Sequence, residues 1–462
     1  MLMSPPEKEK LRIGVIFASR AAAPPEIVRK EITDEFLKKY SEIVGMIKRN
    51  LEKTFPEIDF IYGETSNSID AITILNRMRD VIGYLIFAFQ HPTGYLRVLT
   101  RSGKPTIIIA YTYVGAGALM LAYSKAVKEG YPVVAEVVRD ISNPERINRY
   151  VKMLETIGKL RSARALLIVG PVTKQFMEAE YPLSVDLYGM ISDVNKVLGI
   201  NIFTMSIKDF NRDYYDRISA EQAKEIAERW FKNAKRVIDH KLEDLIEPAK
   251  LYLAIKELIK ERKLDAVGID CITLYHAGLL KTWPCLAFME LTREGFVCGC
   301  EADLYSMAIM LLMKFLKNIP GYINDPSPDM DKGEVVYYHC QAPINPYGYD
   351  SKSLSPYTIT PAHWNSKKLS VHVELPTNEV VTLIGLNPRR KILCIHIAKI
   401  IGNEYNQEEC STKAVGRADV KTLLKRWEWD AGWHRVLFYG DHREDLKIIA
   451  RLLGLTILEE DR

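Results

Sequence analysis

From Leu11 to about Ala163, short apolar runs at Ile13–Ala18, Ile58–Tyr62, Ile82–Phe87, Thr106–Ala110 and Pro132–Val137 alternate with longer stretches of helical spacing. Continuous apolar runs separated by amphipathic segments are the mark of parallel strands covered by crossover helices. The Lys- and Glu-rich stretch from Pro25 to Phe55 brings Ile27, Ile32, Phe36, Tyr40, Ile43 and Ile47 round at helical intervals, which predicts an amphipathic helix over that sheet. A second set of the same kind starts at Ala165-Leu-Leu-Ile-Val-Gly and runs through Ile200–Met205, helices near Ala220–Ile238 and Ala249–Arg262, and a strand at Asp265–Asp270. After about Tyr337, glycine, proline and aromatic residues punctuate shorter extended segments, Leu369–Leu375, Val380–Leu386, Ile392–Ile397 and Trp433–Tyr439. The spacing Asp441-His-Arg-Glu444 predicts a capped closing helix to Leu453, stopped by Gly454. The expected fold class is therefore α/β: two Rossmann-like α/β domains, 1–163 and 164–336, then a β-rich, barrel-like C-terminal domain, 337–462.

Composition narrows the partners. The chain has 462 residues, 47% apolar and 26% charged, with a net charge of +4 and no basic run interleaved with aromatics. This is the composition of a soluble enzyme-sized chain and excludes the electrostatic footprint of a nucleic-acid binder. The first ten residues hold no apolar signal core, and the longest nearly apolar run, Met307 to Leu316, is too short to span a bilayer. No membrane partner and a cytoplasmic location are the expectations. Seven cysteines, scattered without a small-domain disulfide pattern, are expected to be thiols.

Two acids stand out because apolar sequence flanks both. Glu301, in Cys-Gly-Cys-Glu-Ala-Asp, comes just before the apolar helix Leu304–Leu316 and is expected at or near its first turn; Asp325, in Asn-Asp-Pro, is expected in the loop after that helix. A buried carboxylate needs a proton, a cation or donors. Singly, each reads more readily as a structural acid than a catalytic one, and the balance shifts when histidines are added. His339 and His434 each lie at an end of a strand-like run, where site residues are commonly delivered, although a satisfied core histidine is the plain alternative. Two carboxylates with one or two imidazoles suit Mn²⁺, Co²⁺ or Mg²⁺ better than a closed structural zinc site. Asp303 is expected as a helix cap or as a partner behind a ligand.

The block Pro284-Cys-Leu-Ala, Gly295, Cys300-Glu301-Ala-Asp303, Asn324-Asp325 and His339-Cys340, followed by Val380-Val-Thr-Leu and the late Gly-Trp-His434, resembles the L-fucose isomerase and L-arabinose isomerase superfamily, nearest its L-fucose isomerase branch. The resemblance implies two α/β domains and a β-rich third. It implies that Glu301 and Asp325 are metal ligands and acid/base groups, with His434 as the late metal histidine and His339 as the extra histidine of the arabinose type. It also implies Mn²⁺, with Co²⁺ or Mg²⁺ as alternatives, a homo-oligomer (trimer or hexamer), and Arg20 as a substrate contact across a subunit boundary. The activity implied is aldose–ketose isomerisation of a free pentose or 6-deoxyhexose such as L-fucose, D-arabinose or L-arabinose through an enediol. That chemistry moves a proton between C1 and C2, which asks for a base that serves both carbons and a charge that stabilises the enediolate. A non-catalytic sugar-binding or regulatory protein, and a metal-dependent enzyme on a modified sugar, are the alternatives.

Other signals carry less. Gly115-Ala-Gly117 after a strand mimics a dinucleotide fingerprint, but Met120 stands where a third glycine belongs. Cys298, Cys300, Cys340 and His339 lack the paired spacing of a zinc site, so buried thiols are expected. Gln90 and His91 follow a strand end and, with Trp433, are expected to line the sugar pocket; Trp283 and Trp364 are further candidates for an apolar face, with core packing as the default for tryptophan.

Overall fold

A computed structural model describes residues 10–24, 26, 32–90, 93–113, 116–170, 187–363 and 365–462. The chain forms two compact units, residues 1–159 with 447–454, and residues 160–446 with 455–462.

In the first unit, β1 (Leu11–Ala18), β2 (Ile58–Thr65), β3 (Tyr84–Ala88), β4 (Thr106–Tyr111) and β5 (Val133–Val138) form a sheet in the order β2-β1-β3-β4-β5. Every pairing in it is parallel. Helices α1 (Asp34–Thr54), α2 (Ser68–Arg77), α3 (Thr93–Leu99) and α4 (Ala116–Lys128) join successive strands, and α5 (Pro144–Ser162) follows β5. The central strand β3 is buried along its whole length, which is why its sequence is apolar without alternation. The helix expected from Pro25 begins at Asp34, because Thr33 caps it by accepting a hydrogen bond from the Phe36 amide. Residues 25 and 27–31 lie outside the described residues. Gly117 falls within α4 after β4, and Gly115 lies outside the described residues.

The second unit opens with a four-stranded parallel sheet, order β10-β9-β6-β7, built from β6 (Arg164–Val169), β7 (Asn201–Ser206), β9 (Ala266–Ile269) and β10 (Val297–Gly299). Its helices include α6 (Leu187–Leu198), α7 (Ile207–Asp213), α8 (Ala220–Asn233), α9 (Ile246–Arg262), α10 (Cys271–His276), α11 (Cys285–Arg293) and α12 (Leu304–Lys317). The helix expected to reach Ile238 ends at Asn233, and the next residues form the short strand β8 (Arg236–Val237), which joins β13 (Tyr357–Ala362) and β14 (Asn365–Val373).

A seven-stranded sheet completes this unit: β11 (Tyr322–Asp329), β12 (Glu334–His339), β15 (Val380–Asn387), β16 (Ile392–Asn403), β17 (Thr412–Arg417), β18 (Arg435–Tyr439) and β19 (Thr456–Glu459). The order is β15-β18-β11-β12-β17-β16-β19, and β15 also pairs with β16, so six strands close into a ring. Closure leaves none of those six with an edge free along its whole length. The boundary expected between residues 336 and 337 runs through β12, so Asp325 shares this ring with His339 instead of sharing a layer with Glu301. Asp325 is also on a strand, not in the expected loop. Pro326 and Pro328 are tolerated because β11 pairs with β18 only through Tyr322–Asn324, leaving residues 325–329 with β12 as their one neighbour. Among the described residues, no helix is long and apolar enough to cross a membrane.

Candidate active site

Glu301 sits on the one-turn segment Cys300–Ala302 that joins β10 to α12, just before the helix and near its first turn. The backbone there is left-handed, with φ of 58° at Glu301 and 50° at Ala302. Such a conformation costs a non-glycine residue ~1–2 kcal/mol, so the flanking elements must impose it. They do so by close packing. A Cβ on Gly299 would lie 2.3 Å from Met307 Cγ, and one on Gly268 would lie 2.6 Å from Met307 Sδ, so only glycines at both places let α12 settle on β9 and β10. Asp303 caps α12, accepting from the Ser306 amide at 3.0 Å.

Three further side chains arrive from the strand ring. Asn324 of β11 pairs with Arg435 of β18, and carrying that antiparallel register on by one residue sets Asp325 opposite His434. On the other side of β11, Asp325 pairs with Tyr338, which brings the next residue, His339, to the same end of the ring. His434 Nε2 lies 3.2 Å from Asp325 Oδ1 and 3.9 Å from Glu301 Oε2, and His339 Nε2 lies 3.5 Å from Glu301 Oε1. The two imidazoles meet edge to face, with centroids 5.3 Å apart. The His434 Nδ1–H donates to Asp303 Oδ2 at 2.8 Å, a carboxylate contact that fixes the ring and directs Nε2 at the two acids. Asp303 is thus both the helix cap and the partner behind His434.

Behind His434 the adjacent residue is a fully buried arginine. The Arg435 guanidinium donates to the carbonyls of Gly432 and His434, both at 2.9 Å, forks onto Glu460, and stacks 3.8 Å over Trp427. His396 Nδ1 meets the same Glu460 at 3.1 Å. This support was accessible in the sequence only as a charge at the head of the apolar strand Val-Leu-Phe-Tyr.

The electrostatics of the cluster favour positive charge. Burial opposes an imidazolium at His434, but Asp325 first, then Asp303 and Glu301, outweigh it and hold its pKa well above the ordinary value. Burial likewise opposes charge at His339, and Glu301 outweighs it, so that pKa is also raised. Asp325 Oδ1 and both ring nitrogens of His339 are buried yet meet no hydrogen-bond partner among the described residues. The ligand atoms of Glu301, His339 and His434 all lie within 4.8 Å of one another. Carboxylate oxygens and imidazole nitrogens brought this close together fit a divalent cation of the Mn²⁺, Co²⁺ or Mg²⁺ kind.

Of the other predicted positions, Trp433 is half-buried beside His434. Arg20 and Gln90 belong to the first unit, at the carboxyl ends of the neighbouring strands β1 and β3, where the Arg20 amide donates to Gln90 Oε1 at 2.9 Å. His91 and Trp364 lie outside the described residues. Trp283 is buried in the core under Lys368, whose ammonium lies 3.8 Å from the ring centroid. All seven cysteines are buried free thiols, and Cys340 keeps company with His363 and Cys410 instead of with Cys298, Cys300 and His339.

No protein-family model matches the chain. Two curated relatives, sulfoquinovose isomerases of Priestia aryabhattai and of Priestia megaterium (strain ATCC 12872 / QMB1551), are each 24% identical to it over 327 residues, which covers 68% of this chain and 69% of theirs. Among solved structures, an ABC transporter solute-binding protein from Burkholderia multivorans aligns over 59% of this chain and 85% of its own, at 11% identity. Its TM-score of 0.14 is too low to relate the two folds.

Proposed function

We propose that this protein is a metal-dependent aldose–ketose isomerase that works through an enediol, with Glu301 and Asp325 as its acid/base pair. The observation that carries this reading is the meeting of Glu301, Asp325, His339 and His434 in one cluster, in which Asp325 Oδ1 and both ring nitrogens of His339 are buried without a hydrogen-bond partner among the described residues. The names of the two sulfoquinovose isomerases support the reaction class.

Glu301, Asp325 and His434, with His339 beside them, would hold a divalent cation. Such an ion, when bound, polarises vicinal sugar oxygens as a Lewis acid. The chain's own groups do the proton work. One carboxylate removes the proton from the carbon next to the carbonyl and returns it to the adjacent carbon, while the other moves protons at the two oxygens. Asp303 keeps His434 in one tautomer and orientation, and Arg435 fixes the backbone that carries it. Burial of the cluster limits water that would otherwise quench a carbanion-like intermediate.

The substrate follows from the same reading as a free sugar with an open-chain carbonyl: L-fucose, D-arabinose, L-arabinose, or a sulfonated 6-deoxyhexose such as sulfoquinovose. The test is ketose formation from these four sugars by chelator-stripped protein, with and without Mn²⁺, in D₂O. Metal-restored conversion with deuterium entering at C1 of the ketose supports an enediol isomerase and names the substrate. No conversion of any sugar by protein that binds Mn²⁺ overturns it in favour of a binding role.

A further inference from the structure

A second cluster of metal-binding side chains lies at the ends of β12, β13 and β17. Cys340 follows β12, His363 follows β13 and Cys410 precedes β17; their ligand atoms all lie within 4.8 Å of one another. The His363 Nε2 atom is 3.4 Å from each sulfur, and the two sulfurs are 3.1 Å apart. Behind the ring, His363 Nδ1 faces Glu409 Oε2 at 3.4 Å. A carboxylate behind one ring nitrogen, with the other aimed between two thiols, is the arrangement by which proteins fix the tautomer of a metal-binding histidine.

The backbone is built around this contact. His363 and Glu409 both adopt left-handed conformations, with φ of 54° and 50°. The His363 amide donates to the Glu409 carbonyl at 2.8 Å, so each residue holds the other in place. The buried Lys413 ammonium gathers the loop that carries Cys410, donating to the carbonyls of Glu408 at 2.6 Å and of Cys410. On the opposite side the Ser370 hydroxyl donates to the Cys340 carbonyl at 2.8 Å. Cys340 and Cys410 are buried while His363 is 31% exposed, which leaves an entry path on the histidine side.

We propose that Cys340, His363 and Cys410 form a site for a thiophilic divalent cation, Zn²⁺, with the fourth position open toward solvent. Two thiolates and a neutral imidazole cancel the charge of the ion, and sulfur donors select Zn²⁺ over the hard cations suited to the Glu301 cluster. Two sulfurs on one tetrahedral zinc lie ~3.8 Å apart, so the thiols separate by several tenths of an ångström as they release their protons and bind. The two clusters, held by the consecutive residues His339 and Cys340, thereby sort cations by softness. This assignment does not depend on the sugar chemistry.

The test uses Co²⁺ as a spectroscopic substitute on the reduced, chelator-stripped full chain. Thiolate ligation gives a near-ultraviolet charge-transfer band that carboxylate and imidazole ligands do not give. The expected result is such a band in the unaltered chain and in Glu301→Gln, its loss in Cys410→Ser and His363→Ala, and Zn²⁺ displacing the Co²⁺. Glu409→Gln, a change at an exposed side chain that leaves the core untouched, is expected to weaken binding about tenfold. Absence of the band from the reduced unaltered chain, its persistence in Cys410→Ser, or undiminished affinity in both His363→Ala and Glu409→Gln overturns the assignment.

Discussion

His434 and Arg435 are neighbours in the chain, and each enters a buried charged cluster, but the two clusters differ in what they leave over. Around Arg435, the guanidinium forks onto Glu460, His396 meets the same carboxylate, and three carbonyls and the Trp427 face take up the rest of the cation. Around His434, Asp303 holds Nδ1 at 2.8 Å, Asp325 and Glu301 stand 3.2 and 3.9 Å from Nε2, the His339 ring lies 5.3 Å away by centroid, and Asp325 Oδ1 and both His339 nitrogens find no hydrogen bond among the described residues. Burial and charge are common to both. What separates a scaffold from a candidate site here is whether donors and acceptors are used up, because an unsatisfied buried polar group is tolerated where a ligand completes it.

The comparison breaks most visibly if the two clusters are emptied in turn. Glu301→Gln and Asp325→Asn are each expected to lower turnover about a thousandfold, equivalent to ~4 kcal/mol of transition-state stabilisation, while the thermal midpoint stays in place. Near-normal kcat in either variant would remove that acid from the chemistry. Glu460→Gln should do the reverse and cost about 3–5 kcal/mol of stability by denaturant titration, since it strands a buried guanidinium. A midpoint unchanged by that variant would show that the Arg435 cluster is not the structural one.

Acid sharpens the same contrast. Burial alone would raise the Glu460 carboxyl, yet Arg435 and His396 pull it from an ordinary 4.5 down to about 2. A depressed carboxyl contributes its stability above its unfolded pKa and loses it as pH falls, so about 3 kcal/mol should disappear between pH 4.5 and 2. That loss is expected to be absent from Glu460→Gln, and chemical denaturation at stepped pH reads it directly. The smallest effect belongs to the group that serves both roles. Asp303→Asn should weaken Mn²⁺ binding about 10- to 100-fold by releasing His434, with ~1 kcal/mol or less lost at the α12 cap. Isothermal titration on folded variant protein measures the first; an unchanged affinity would confine Asp303 to capping.

The sequence makes the parallel strands legible because strands buried on both faces are written as unbroken apolar runs, as in Tyr84–Ala88. Glu301, Asp325, His339 and His434 are legible as residue types set against apolar flanks, and Asp303 as a cap. Their meeting is not, because it depends on the register that sets Asp325 opposite His434. Asp325 itself reads as a turn, since Asn-Asp-Pro is turn chemistry; only half-pairing of β11 makes it a strand. Cys340, His363 and Cys410 are scattered without ligand spacing, so nothing local joins them. Arg435 carries a usable signal, a charge directly after His434 in an apolar strand, which must find a partner if it is buried.

The left-handed turn at Glu301 puts stability and chemistry at odds in one residue. A glycine there would relax a conformation that β10 and α12 impose on a side chain ill suited to it. Glu301→Gly is therefore expected to yield a protein about 1 kcal/mol more resistant to unfolding and without its acid. Durability alone would be better served by glycine at this position, so folding stability does not account for the glutamate at residue 301.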